Sequence, residues 1–134
     1  RIGLRIEEEK DHHFSDYENA LKCTLSKHEE EFTIGGVVFS GPHPRLTLIN
    51  GFLLEMAPTG TILIIKNNDR PGIIGAIGAC LGKHNVNIDQ FNLGRDQKGG
   101  EAMALLRVDE DIEKNVLREL ESLPNINFVC KIKL

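Results

Sequence analysis

Ile65-Lys66-Asn67-Asn68-Asp69-Arg70-Pro71-Gly72-Ile73-Ile74-Gly75 runs from the end of an apolar segment into a glycine-rich one, and its reading decides the fold. Upstream, Thr61 to Lys66 is a strongly apolar strand. Asn67 to Gly72 is a polar turn with proline near a helix start. Residues 73–84 form the first helix, with Ile74, Ile77 and Leu81 along one stripe. Val86 to Gly94 reads as a strand, Asp96 to Gly100 as a turn, and Ala102 to Val108 as a second strand. Asp109 and Asp111 are placed to cap a second helix, where carboxylates favour the positive end. That helix carries Ile112, Val116, Leu117, Leu120 and Leu123 on one face. Ile126, Phe128, Cys130, Ile132 and Leu134 then alternate with Asn127, Val129, Lys131 and Lys133, the period of a strand.

Two βαβ halves of this kind predict a ferredoxin-like βαββαβ domain over 59–134. Right-handed crossovers put both helices on one face of its four-stranded sheet. The other face then needs a cover, either the first domain or a second subunit. Met103 and Leu105 on one side of 102–108, with Ala104 and Leu106 on the other, point the same way.

Residues 1–58 read as a small, mainly antiparallel β domain, which makes the whole chain α+β. Ile2, Leu4 and Ile6 alternate, and a polar stretch follows from Glu7 to Asp16. Leu21, Cys23 and Leu25 alternate with Lys22, Thr24 and Ser26, predicting a half-buried strand. Phe32 and Ile34 open another, followed by Gly35-Gly36 and Val37-Val38-Phe39. Ser40-Gly41-Pro42-His43-Pro44 reads as a loop that holds neither helix nor central strand. Leu46, Leu48, Asn50-Gly51, Phe52, Leu54 and Met56 spell a hairpin with a type I′ turn. Ala57 to Gly60 reads as the hinge between the two domains.

Composition narrows the function classes. Apolar residues at 40% and charged residues at 27% are those of an ordinary globular chain. The net charge of −4, without clustered Lys and Arg, argues against a nucleic-acid partner. Glu29-Glu30-Glu31 reads as a solvated strand end. The absence of a long apolar run argues against a membrane span. The chain starts Arg1-Ile2-Gly3-Leu4, with neither Met nor a signal-peptide pattern, which predicts a piece of a longer protein. Cys23, Cys80 and Cys130 are far apart, each on an apolar periodicity, and predict buried, reduced thiols in a cytoplasmic protein.

The turn 67–72 is the best candidate for chemistry. Amide and carboxylate side chains leave a strand end where a helix presents free backbone N–H groups, a natural anion site. An amino acid's carboxylate fits there, with Asp69 facing its ammonium. The alternative is a helix start with Asx turns and nothing bound. Gly75, Gly78, Ala79 and Gly82 lie along one helix face. Interior glycine costs about 1 kcal/mol relative to Ala, so either an outside group approaches this backbone or the helix packs close on its own sheet. Asn87 and Asp89 share a face of their strand, as ligands or as the polar residues of an exposed edge. Phe91 and Leu93 continue that face with apolar side chains, which predicts a bulge near Gln90. No catalytic set stands out. His12-His13 reads as part of a solvated polar loop, His28, His43 and His84 are isolated, Cys80 reads as an inert core thiol, and no metal-ligand spacing occurs.

The segment 65–75, followed by Asn85-Val86-Asn87-Ile88, closely resembles the ACT domain of bacterial D-3-phosphoglycerate dehydrogenases. Leu48-Ile49-Asn50-Gly51-Phe52, leading into it, resembles the long form of that family, where an allosteric substrate-binding domain precedes the ACT domain. The resemblance is carried by residues 40–134. It implies that the chain is the regulatory end of an NAD-dependent dehydrogenase of serine synthesis. NAD and the catalytic residues would lie before Arg1. It implies homo-oligomers joined through ACT sheet edges, with L-serine bound between them as feedback inhibitor. By position, Asn67, Asp69, Arg70, Pro71 and Gly72 supply the loop side of that site and Asn87 the partner's side. Asn67 stands where some relatives carry His or an aromatic residue. A second, anion site is implied at Arg45 and Arg107, with its third basic position falling at Ala57. Two other readings stay open: the β or regulatory region of an iron–sulfur L-serine dehydratase, and a module that only dimerises.

Overall fold

The structure, a computed structural model, describes residues 20–27, 30–39 and 41–134. The alternation at Ile2, Leu4 and Ile6, the polar stretch to Asp16, His12-His13 and His28 lie outside these residues. Ten elements follow in order: β1 (Ala20–Lys27), β2 (Glu30–Phe39), β3 (His43–Ile49), β4 (Phe52–Met56), β5 (Thr61–Asn68), α1 (Ile73–Lys83), β6 (Ile88–Arg95), β7 (Glu101–Val108), α2 (Lys114–Ser122) and β8 (Ile126–Lys133). They form two antiparallel four-stranded sheets, ordered β1-β2-β3-β4 and β6-β7-β5-β8. The α+β reading and the βαββαβ order of the second half both hold.

The β3–β4 hairpin turns at Asn50 (φ 47°) and Gly51 (φ 84°), the two left-handed residues a type I′ turn requires. The stretch around Pro44 differs from expectation. His43 and Pro44 begin β3, which is an inner strand of its sheet. Proline is tolerated because β4 pairs with β3 only from Leu46 onward, so the missing N–H falls beyond the end of that ladder. β1 is a strand, as expected, but it is not half-buried. Among the described strands it is the outermost of its sheet, and Leu21 and Leu25 are 70% and 61% exposed. Cys23 is exposed as well, against the expectation of a buried thiol, whereas Cys80 is buried.

β7 explains why both its faces are apolar. Ala104 and Leu106 pack with Leu63, Ile65, α1 and α2, forming a helix-side core. Met103 and Leu105 pack with Ile62, Ile64, Ile49, Leu54 and Met56. The chain's own first sheet therefore covers the helix-free face. β4 approaches β6 so closely that a Cβ at Gly94 would lie 2.7 Å from the Leu53 carbonyl oxygen. Gln90 Nε2 donates to the carbonyl of Glu55 at 3.2 Å, and the Asn92 amide donates to the same oxygen. The bulge expected near Gln90 is present, as a register shift between Ile88 and Gln90.

The helices differ in detail. In α1 the buried side chains are Ile73, Ile77, Cys80 and Leu81, while Ile74 is 48% exposed. The core stripe thus starts one residue before Ile74. α1 ends in a Schellman motif: Asn85 (φ 56°) donates to Gly82 O and Val86 to Leu81 O. α2 begins at Lys114 after Glu113, and neither Asp109 nor Asp111 caps it. Both aspartates precede the helix and find other partners. Asp109 accepts from Asn87 Nδ2 at 2.6 Å, and Asp111 faces Lys131 and Lys133 of β8. Val116 and Leu120 of α2 are buried, as is Ile112 just before it, while Leu117 and Leu123 pack partly buried beside them.

Candidate functional site

Asn67 is the last inward residue of β5 on the helix side, following Leu63 and Ile65. It is fully buried. Its Nδ2 donates to the Asn68 carbonyl at 3.0 Å, but its Oδ1 has no hydrogen-bond partner among the described residues. A buried amide oxygen without a donor is costly, on the order of 1–3 kcal/mol, and therefore uncommon.

The chain then leaves the sheet along Asp69, Arg70, Pro71 and Gly72. Arg70, Pro71 and Gly72 are exposed. Gly72 occupies the N-cap of α1 with φ 89°, a conformation that places glycine there for steric reasons, and no side chain caps the helix. The first N–H of α1, at Ile73, donates to the Arg70 carbonyl at 3.4 Å, so this helix start is closed by backbone rather than by a side chain. Proline sits one position before the cap rather than inside the helix.

Asp69 is differently engaged from the expectation. Its Oδ2 accepts from Arg95 Nη1 at 3.2 Å and from the Gly99 backbone at 3.0 Å, and its own N–H donates to Gly100 O at 2.8 Å. The Gly99 N–H and then the Arg95 guanidinium hold its carboxyl below the ordinary value of 3.8. Asp69 therefore ties the β5–α1 loop to the β6–β7 turn. Arg95, which sequence reasoning missed, forms an ion pair with this loop; only the hairpin register brings it there.

Asn87 lies at the other end of the sheet. Ile88 pairs with Val108, which pairs with Thr61, while Asn67 pairs with Ala102, which pairs with Arg95. The run from Thr61 to Asn67, at about 3.3 Å per residue, separates the two asparagines by roughly 20 Å within one chain. Asn87 Nδ2 bonds Asp109, and its backbone N–H donates to Glu110 Oε2 at 2.7 Å. Asp89, paired with it in the sequence reading, instead meets Arg107 at 2.5 Å.

The glycines of α1 do not pack on the sheet. A Cβ at Gly75, Gly78 or Gly82 would meet no atom of the described structure within 4 Å, so this face of the helix is open. Arg45 and Arg107 take separate partners: Arg45 lies 4.0 Å from Glu55, and Arg107 also reaches Thr59 at 3.5 Å. Arg45 lines an apolar groove with Leu21, Val37, Leu46 and Pro58.

His84 is not isolated, contrary to expectation. The i, i+4 spacing from Cys80 and the packing of α1 against α2 bring Cys80, His84 and Glu119 together, with one ligand atom of each within 4.8 Å of the others. Burial, then the Glu119 charge, pushes the Cys80 thiol up, while Lys83 and His84 hold Glu119 down. No described helix is long and apolar enough to cross a membrane.

Residues 61–125 match the ACT-domain family. The chain is 34% identical over 118 residues to the D-3-phosphoglycerate dehydrogenase of Methanocaldococcus jannaschii, covering 88% of this chain and 22% of that protein. It is 32% identical over 132 residues to the Bacillus subtilis D-3-phosphoglycerate dehydrogenase, covering 98% and 25% respectively. It is also 29% identical over 130 residues to the probable L-serine dehydratase β chain of Bacillus subtilis, covering 97% of this chain and 59% of that one. The chain thus spans about a quarter or less of the length of these dehydrogenases.

Proposed function

From a chain that carries an ACT domain at residues 61–125 and is homologous over most of its length to the C-terminal region of D-3-phosphoglycerate dehydrogenases, we propose an amino-acid-sensing regulatory module, with L-serine as effector. One observation carries this reading. The buried Asn67 Oδ1, without a donor among the described residues, lies in the chain five residues before Gly72, the N-cap of α1. An ammonium supplies the donors that oxygen lacks, and the positive end of α1, uncapped by any side chain, suits the carboxylate of the same zwitterion.

The site is completed by a second copy. β6 is an outer strand of its sheet, with no neighbour beyond it among the described residues. Antiparallel pairing of two β6 edges reverses one strand against the other, and so carries Asn87 of the partner subunit toward Arg95 and the β5–α1 loop. A pocket built from two chains couples effector binding to their relative position. Coupling of about 1–3 kcal/mol suffices for feedback control of a distant active site. The parent activity is oxidation of 3-phosphoglycerate by NAD, whose binding residues belong to a separate catalytic part.

A second reading keeps the module and changes the parent. The likeness to a probable L-serine dehydratase β chain favours it, because a larger share of that relative is matched. Equilibrium dialysis with labelled L-serine, alongside sedimentation of the same samples, tests the module. Saturable binding that promotes dimers supports it. A dimer that takes up no serine rejects sensing and leaves dimerisation alone. Assay of the full-length protein for 3-phosphoglycerate oxidation or serine deamination then separates the two parents.

A further inference from the structure

We propose that Cys80, His84 and Glu119 form a three-ligand site for a zinc-class divalent cation, clasping α1 to α2. The argument starts from spacing. Residues four apart share a helix face, and an i, i+4 pair can present two ligands to one ion. Cys80 and His84 hold that spacing, and α2 adds Glu119 from the neighbouring helix. Their donor atoms already converge within 4.8 Å. His84 Nε2 lies 2.7 Å from Glu119 Oε2, and the two side chains are only 23% and 33% exposed.

The donor set fixes the class of ion. A thiolate, an imidazole and a carboxylate suit zinc, whereas calcium and magnesium take oxygen ligands. Three protein ligands leave a fourth position for water, and the part-exposed His84–Glu119 side gives the ion its route in. The Cys80 thiol itself is buried, so its sulfur faces the ion from the core side. Binding forms a metal–sulfur bond and releases the thiol proton to solvent. The imidazole binds in its neutral form, and the ion replaces the hydrogen bond between His84 and Glu119. Lys83 Nζ, 2.9 Å from Glu119 Oε1, stays on the other carboxylate oxygen. The sulfur ligand separates this site from adventitious binding at surface histidines.

Cobalt(II) added to the protein reports the geometry, because a thiolate ligand gives a charge-transfer band in the near ultraviolet. The expected result is one ion per chain with that band, displaced by zinc. Cys80→Ser abolishes the band, and His84→Ala and Glu119→Gln each weaken zinc affinity by more than about tenfold. Circular dichroism establishes that each variant is folded. Glu119→Gln, which changes a part-exposed side chain outside the hydrophobic core, keeps the test valid if Cys80→Ser does not fold. Absence of the band in the wild-type protein, or zinc binding unchanged in Glu119→Gln and His84→Ala, overturns the proposal.

Discussion

Asp69 Oδ2 and Arg95 Nη1 meet at 3.2 Å, joining the loop that leaves β5 to the end of β6. With the Gly99 N–H on the same oxygen, this contact ties the strand–helix loop to the turn between β6 and β7. The residue that the sequence presents as an effector ligand is thus also a structural tie.

That tie makes a pH prediction. The Asp69 carboxyl is held below its ordinary value, so its contribution to stability is full above that value and is lost as pH falls through the lower folded-state value. Asp111, held down by Lys131 and then Lys133, acts in the same direction. The urea midpoint of the wild-type protein should therefore fall with acid below pH about 4. Asp69→Asn should show a shallower fall. Equal acid sensitivity in the two proteins would dissociate Asp69 from acid stability.

Effector binding should depend on both asparagines in different ways. Asn67→Ala removes an acceptor with no partner among the described residues, together with the Nδ2 bond to the Asn68 carbonyl, so it should weaken L-serine binding by at least about tenfold while changing stability by no more than about 1–2 kcal/mol. Asn87→Ala should weaken binding and lose the bond to Asp109. In mixtures of Asn67→Ala and Asn87→Ala chains, mixed dimers should regain one intact site. Calorimetric titration of the single variants and of the mixture reads this, and a mixture that binds no better than either parent counts against a shared pocket.

Gly94 is required for the contact between the two sheets. Any Cβ there lies 2.7 Å from the Leu53 carbonyl, which is backbone and cannot turn aside. Gly94→Ala should destabilise by roughly 1–3 kcal/mol through overpacking. Chemical unfolding measures it, and a variant as stable as the wild type would mean that β4 can retreat without loss.

Leu105 and Leu106 are both fully buried, on opposite faces of β7. Leu105→Ala and Leu106→Ala should each cost about 2–5 kcal/mol. The Leu105 variant alone should expose the first sheet to proteolysis in native conditions, since its side chain fills the core shared with Ile49 and Met56. Identical cleavage patterns for the two variants would contradict a distinct second core.

The element order was legible because strand and helix periods differ: the runs at 61–66, 102–108 and 126–134 alternate or are wholly apolar, and the residues after Gly72 follow a helical stripe. Helix starts were less legible. Asp109 and Asp111 have the chemistry of caps, but nearby partners, Asn87 and two lysines of β8, take them first. On α1 Ile73 and Ile74 are equally apolar, and only the direction of the sheet decides that Ile73 goes in.

By itself, the sequence determined which segments pair and curl, and that the loop after β5 carries amides and a carboxylate beside a helix start, because these follow from local periodicity and turn chemistry. Tertiary structure alone decided that β4 lies across β6, that Arg95 closes on Asp69, that Asn67 keeps an oxygen without a donor, and that Glu119 meets His84 from 35 residues away. These depend on strand register and on how one layer packs over another, and no run of neighbouring residues encodes either.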